Sequence, residues 1–288
     1  MATLSNIFGY ILNYIYIFVQ NYGVAIILFT IVMKIILLPV SIKQQKTMKK
    51  SATMQVELKE IQEKYKNDQV KANQEMMNLY KRENMSPFSG CLSAIIQIVL
   101  LFAVFYLVRS PLTYMKKVDP QIIEKYRQEI AEEGTTQSAY PEVQIIKEKG
   151  SKDERVYLNM NFFGLDLSSV PQSDYKDYKV YIIPVLYVIS SIVSMKLTMP
   201  PKEKKEEIEE EEETLTSEEK KKKEEEMTPE DSMQNMNRSM SYMMPIMAVS
   251  ISLVAPLGLA LYWLVNNILM IVERMCINKL MKDKEEEA

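Results

Sequence analysis

The stretch GVAIILFTIVMKIILLPVSI, residues 23–42, is apolar apart from Lys34, Thr30 and Ser41. A bilayer core takes about 20 such residues as a helix. Four further stretches read the same way: 88–110, which is uncharged through Val108; 179–199, with Lys196 near its end; 236–254, with Arg238 in its first turn; and 257–278. Only Ala255 and Pro256 separate the last two. Averages of 47% apolar and 25% charged residues would suit a soluble protein, but the two classes are segregated along the chain. Five long apolar runs predict an all-α polytopic membrane protein with five transmembrane helices.

Composition excludes several chemistries. There is no His among 288 residues, which removes His general bases, Ser-His triads and His metal ligands. Cys91 and Cys276 stand too far apart for a zinc motif, and two cysteines make no disulfide framework. Glycine is scarce at 7, with no GxGxxG or GxxxxGK[ST]. A net charge of −3 argues against a nucleic-acid substrate. Neither a metal nor a cofactor is expected.

Residues 1–22 carry no basic n-region and no small-residue cleavage site, so no cleaved signal peptide is expected. On a helical wheel Asn6, Tyr10, Asn13 and Gln20 oppose Ile7, Ile11, Ile15 and Val19. That predicts an interfacial amphipathic helix, with a further span as the alternative. Lys43, Lys46, Lys49 and Lys50 follow the first span directly. Residues 43–86 hold 10 basic and 6 acidic residues, whereas 111–178 hold 9 basic and 12 acidic. The positive-inside rule then predicts the N-terminus outside, 43–87 inside, 111–178 outside, and 200–235 and the 279–288 tail inside.

Residues 43–87 read as a cytoplasmic helical hairpin. Met54, Leu58, Ile61 and Tyr65 form one stripe, and Val70, Met77 and Tyr80 are its expected partner across an Asn67-Asp68 turn. The 111–178 loop offers a helix start at Asp119-Pro120 and a stop at Gly134, and is otherwise polar and patternless until Phe162-Phe163-Gly164-Leu165. In the 200–235 linker, residues 202–226 contain 13 Glu and 7 Lys, a tract that cannot bury a core.

Lys34 is the chemically conspicuous residue. It lies near the middle of its span, where a Lys costs roughly 2.5–3.5 kcal/mol on insertion scales. Within the five spans the only carboxylate is Glu273, near the end of the last. A cation at that depth calls for water around it, or for an anion that comes to it. The other spans supply polar stacks at helical spacing: Ser89, Ser93 and Gln97; Tyr187, Ser190, Ser191 and Ser194; Tyr262 with Asn266 and Trp263 with Asn267. Interhelical hydrogen bonding accounts for each alone, and a polar cavity for the set around Lys34. Met233, Met236, Met240, Met243, Met244 and Met247 add an adaptable stripe on the fourth span.

Ordered strings over most of the chain resemble the YidC/Oxa/Alb membrane-protein insertases. YGVAIILFTIVMKIILLPVSIKQQKTMKK, residues 22–50, resembles that family's opening core helix, with Lys34 where the family usually has Arg. LKEIQEKYKNDQVKANQEMMNLYKRENMSPFSGCLSAIIQIVLLFAVFYLV, residues 58–108, is similar to its cytoplasmic hairpin and next helix. FFGLDLS at 162–168 and LGLALYWLVNNILMIVERM at 257–275 complete the pattern. The sequence departs from it in Lys34, which lacks the guanidinium fork, in a longer outside loop and in a more charged linker.

The resemblance implies a membrane insertase and chaperone of the bacterial cytoplasmic membrane. Its helices would enclose a hydrophilic groove, with Lys34, Gln97 and Trp263 in or near it. Spacing adds Thr30, Ser93, Ser190 and Asn266 to that candidate site. In the hairpin, Lys59, Lys64, Met76 and Met77 are candidate contacts for substrate or partner. The implied partners are nascent membrane proteins with short translocated tails, the ribosome, the Sec translocon and the lipid bilayer. Two rival readings are a channel or transporter, disfavoured by the lack of mid-membrane acids, and an intramembrane hydrolase using Lys34 with Ser93 or Ser190, disfavoured by the lack of an oxyanion donor.

Overall fold

The computed structural model describes residues 2–66, 68–85, 89–134, 138–198, 247 and 249–286. The 200–235 linker and most of the 236–254 span, with its methionine stripe up to Met244, lie outside the described residues, as do the side chains of Lys59, Ser93 and Gln97. The chain is mostly helical, and it is an all-α polytopic membrane protein with one small β-hairpin. Among the described residues four helical segments are long and apolar enough to cross a bilayer: Ala2–Val19, Tyr22–Lys64, Tyr178–Leu197 and Leu257–Leu280. The first of these meets the length requirement of a span although its sequence suggested an interfacial helix.

The chain forms two units, Met1–Gln20 with Val24–Leu158, and Asn21–Gly23 with Asn159–Ala288. The first unit contains α1 (Ala2–Val19), nearly all of α2 (Tyr22–Lys64), α3 (Gln69–Arg82), α4 (Ser89–Arg109), a π-helical turn (Leu112–Lys116), α5 (Pro120–Glu132) and α6 (Pro141–Lys149). No break separates the first span from the hairpin, because α2 continues to Lys64, about 64 Å at 1.5 Å per residue. Residues 43–64 are mostly Lys, Gln, Glu, Met and other good helix formers, with no Gly or Pro. Pro39 falls inside α2, where its ring removes the hydrogen bond to Ile35, a defect that membrane helices tolerate.

On α1, Ser5, Phe8, Gly9, Leu12 and Tyr16 are buried, while Ile7 is exposed. Gly9 lets that face approach its neighbour closely. A Cβ on Gly9 would sit 1.9 Å from the carbonyl oxygen of Tyr114, so only glycine lets α1 lie against the π-turn. The Ser5 hydroxyl donates to the Ala103 carbonyl at 3.0 Å, and Phe8 meets Phe29 edge to face at 5.8 Å.

The hairpin closes on a stripe other than the one expected. On α2 Met54 is buried, as read from the sequence; on α3 the inward residues are Ala72, Met76 and Leu79, whereas Val70 and Met77 are exposed. The Asp68 side chain caps α3 by accepting from the Lys71 amide at 3.1 Å, which fixes where the helix starts. Arg82 pairs with Glu57, and Lys50 with Glu83 at 3.3 Å, outside this seam.

Beyond α4 the loop that looked patternless is folded. Glu142, at the start of α6, is 6% exposed and accepts from the Thr113 amide at 2.9 Å and the Thr113 hydroxyl at 2.6 Å. Burial pushes its carboxyl above the ordinary range, and the Thr113 bonds offset part of that. The Lys116 ammonium donates to the carbonyls of Glu154 and Tyr157 at 2.7 and 2.8 Å, and Arg155 grips Asp153 at 2.7 Å. Val143, Ile145, Ile146, Val156 and Leu158 form the apolar centre.

The second unit holds a β-hairpin, β1 (Asn161–Phe162) and β2 (Leu165–Asp166), a 3-10 turn (Tyr178–Tyr181), α7 (Ile182–Thr198) and α8 (Leu257–Glu286). The Asn159 carbonyl accepts from the Tyr22 amide at 3.0 Å, satisfying one orphan donor at the start of α2. The strap after the β-hairpin is tied to the turn before α8: Gly258 N–H donates to Leu167 O at 3.0 Å, Leu257 N–H to Ser169 O at 2.9 Å, and Gln172 N–H to Leu253 O at 3.0 Å. α7 and α8 pack along one another.

Candidate functional site

Thr30 and Lys34 belong to the first unit, one turn apart on α2. Thr30 is 1% exposed and its hydroxyl donates to the Ile26 carbonyl at 2.7 Å, so it completes its own helix. Lys34 is half-buried, while Ile35 and Ile36 beside it are exposed. Twelve residues separate Lys34 from the start of α2, about 18 Å along the axis, which is close to the middle of a hydrocarbon core of about 30 Å.

Ser190, Trp263 and Asn266 belong to the second unit, on α7 and α8. Trp263 is buried and lies tilted against Tyr187, ring centroids 6.3 Å apart. Ser190 is buried, and its hydroxyl donates to the Tyr187 carbonyl at 2.8 Å. The same Ser190 oxygen accepts from the Asn267 amide at 3.0 Å, and Ser191 Oγ lies 3.3 Å from that nitrogen. Asn267, not its half-buried neighbour Asn266, is therefore the residue that ties α8 to α7. The i, i+4 spacing of Trp263 and Asn267 carried that signal, because both lie on the face of α8 that meets α7.

In the hairpin, Met76 is 2% exposed and its sulfur takes a weak contact from Gln62 Nε2 at 3.9 Å. It is a seam residue; Met77 and Lys64 are the exposed ones. Lys64 and Lys71 lie 5.4 and 5.3 Å from the Tyr65 ring centroid, so the hairpin tip carries two cations against one aromatic ring. Among the described residues no group of three or more His, Cys, Asp or Glu side chains is arranged to hold a metal.

This order of parts has known counterparts. The family model described as 60Kd inner membrane protein matches residues 14–285. The chain belongs to that family. A "Membrane protein insertase YidC" of Treponema denticola is 28% identical over 98% of this chain and 38% of its own length. Proteins of the same name from Caldanaerobacter subterraneus and Fusobacterium nucleatum are 40% and 41% identical, over 38% and 37% of this chain and 53% and 52% of theirs. The chain thus spans between about a third and a half of the length of these relatives. The resemblance to the YidC/Oxa/Alb insertases read from the ordered strings agrees with these matches. Membership of the 60Kd inner membrane protein family, with several apolar helices, makes this a bacterial membrane protein.

Proposed function

We propose that this protein is a membrane insertase and chaperone that moves short polar segments of nascent membrane proteins across the bilayer and releases their hydrophobic segments into lipid. The observation that carries the reading is Lys34, a half-buried cation about 18 Å into a membrane helix of a 60Kd inner membrane protein family member. An Asp or Glu in a passing tail is attracted to that charge, which lowers the cost of bringing a carboxylate to mid-membrane. Thr30, Ser93, Gln97, Ser190, Trp263 and Asn266 are the proposed companions of Lys34 along a hydrophilic groove. The buried Ser190–Asn267 pair supports the view that α7 and α8 accept polar company within the bilayer.

The driving force is burial of about 20 apolar residues of the substrate, helped by the membrane potential acting on translocated acidic charges. No covalent step is invoked, and the protein is not proposed to be an enzyme. The hairpin with Lys59, Lys64 and Met77 receives the substrate, alone or with the ribosome and the Sec translocon. The N-terminus outside and the tail inside complete the proposed topology.

Lys34→Ala is expected to reduce insertion of small proteins with acidic translocated tails at least ten-fold, while Lys34→Arg retains it. Insertion is read by protease protection of the tail in inverted membrane vesicles. Normal insertion by Lys34→Ala vesicles would remove the charge from the mechanism.

A further inference from the structure

The β-hairpin of the second unit ends in an unusual residue. Phe163 has φ of +49° and Gly164 of +79°, the double positive φ of a two-residue type I′ turn. Glycine fits such a turn freely and Asn is the ordinary choice at the first position, whereas a large aromatic there is sterically disfavoured. Phe163 is also 91% exposed: its ring meets the neighbouring Phe162 ring edge to face at 4.7 Å and is otherwise turned outward.

The position of the hairpin supplies the partner. The Phe162 ring lies so close to Gly23 that a Cβ there would fall 2.4 Å from it, which pins the hairpin to the start of α2. β2 packs against the 3-10 turn from which α7 begins. The hairpin thus sits against the first residues of α2 and the turn that begins α7, two helical segments long and apolar enough to cross a bilayer. On the same rim Tyr175 and Tyr178 are exposed, and the Lys176 ammonium lies 6.0 Å from the Tyr175 ring centroid. Exposed aromatics beside a cation at the end of a span have the composition of a membrane-interface belt.

We infer that the Phe163 turn is a lipid anchor, its ring inserted among the headgroups and upper acyl chains on the face from which α2 and α7 enter, with Tyr175 and Tyr178 at the same depth. The anchor holds the second unit's strap, and through it the turn before α8, at a fixed level in the membrane. This inference is independent of insertase activity.

Site-directed spin labelling tests it. A nitroxide is placed at Phe163→Cys in protein carrying Cys91→Ser and Cys276→Ser, reconstituted in phosphatidylethanolamine–phosphatidylglycerol liposomes. Collision with oxygen and with a water-soluble nickel chelate reports depth. The oxygen-to-nickel ratio at 163 is expected to exceed that at an exposed loop position, Lys152→Cys, at least five-fold. A label at Tyr178→Cys repeats the measurement should the turn variant fail to fold. Equal ratios at 163 or 178 and at 152 would overturn the anchor. So would an immobilised label shielded from both reagents, which would mean a protein partner instead of lipid.

Discussion

Two helix pairs in this molecule are built on opposite plans. In the hairpin, α2 and α3 turn Met54, Ala72, Met76 and Leu79 inward and carry Lys, Glu and Arg outside. In the second unit, α7 buries Tyr187, Ser190, Ser191 and Ser194, while Val185, Leu186, Ile189, Ile192 and Val193 are exposed. The first arrangement suits water, where burying apolar area drives association. The second suits lipid, where apolar side chains gain nothing by turning inward and small or polar residues join the helices. The α7–α8 pair adds the bonds of Asn267 to Ser190 and Ser191 to its buried apolar residues, so hydroxyls and an amide are paired within a membrane helix contact.

The contrast can be broken most severely at Met76. Met76→Ala is expected to cost about 3 kcal/mol, the usual loss for a large-to-small change in a core. Met76→Asp, which buries a charge, is expected to open the hairpin entirely. Hydrogen exchange of the α3 amides reads both, with Met77→Ala as the near-silent neighbour. Equal protection in Met76→Asp and Met77→Asp would mean that the seam lies elsewhere.

The equivalent cut in the membrane pair is expected to be smaller. Asn267→Ala removes the bonds to Ser190 and Ser191, and interhelical bonds in bilayers are worth about 0.6 kcal/mol, at most about 1.7. Unfolding in bicelles would measure it. A loss matching that of Met76→Ala would show that polar contacts, not packing, dominate α7–α8.

A third environment gives the gentlest test. Glu142 is buried between α6 and the π-turn, with its folded-state pKa raised above the ordinary 4.5. The folded state therefore binds more protons than the unfolded one between those two values. Its contribution is fully present below pH 4.5 and is lost as pH rises through the raised pKa. Glu142→Gln is expected to flatten that slope in a pH series of thermal melts, and an unchanged slope would place its origin elsewhere.

The fold class was legible because span length is a one-dimensional property of the chain, and strings such as LGLALYWLVNNILMIVERM carried the family. Facing was less legible. On α3, Val70, Met77 and Tyr80 compete with Ala72, Met76 and Leu79 as an apolar stripe, and a short helix with two such stripes does not say which one is buried. In α1 the role of Gly9 is an empty space visible only once Tyr114 is beside it. The 111–158 region looked patternless because its order rests on polar pairs far apart in sequence, Thr113 with Glu142 and Lys116 with Glu154. On α8 helical spacing alone does not say which of two adjacent amides, Asn266 or Asn267, meets Ser190 on α7; the helix contact selects Asn267.

The most direct test of the insertase reading is site-specific photo-crosslinking to a ribosome-stalled nascent chain with an acidic tail. Crosslinkers at positions 34 and 263 are expected to capture the chain, and the yield at 34 to fall when the tail's Asp and Glu are changed to Asn and Gln. Capture no greater than from a crosslinker at Ile189, on the exposed apolar face of α7, would contradict the proposal.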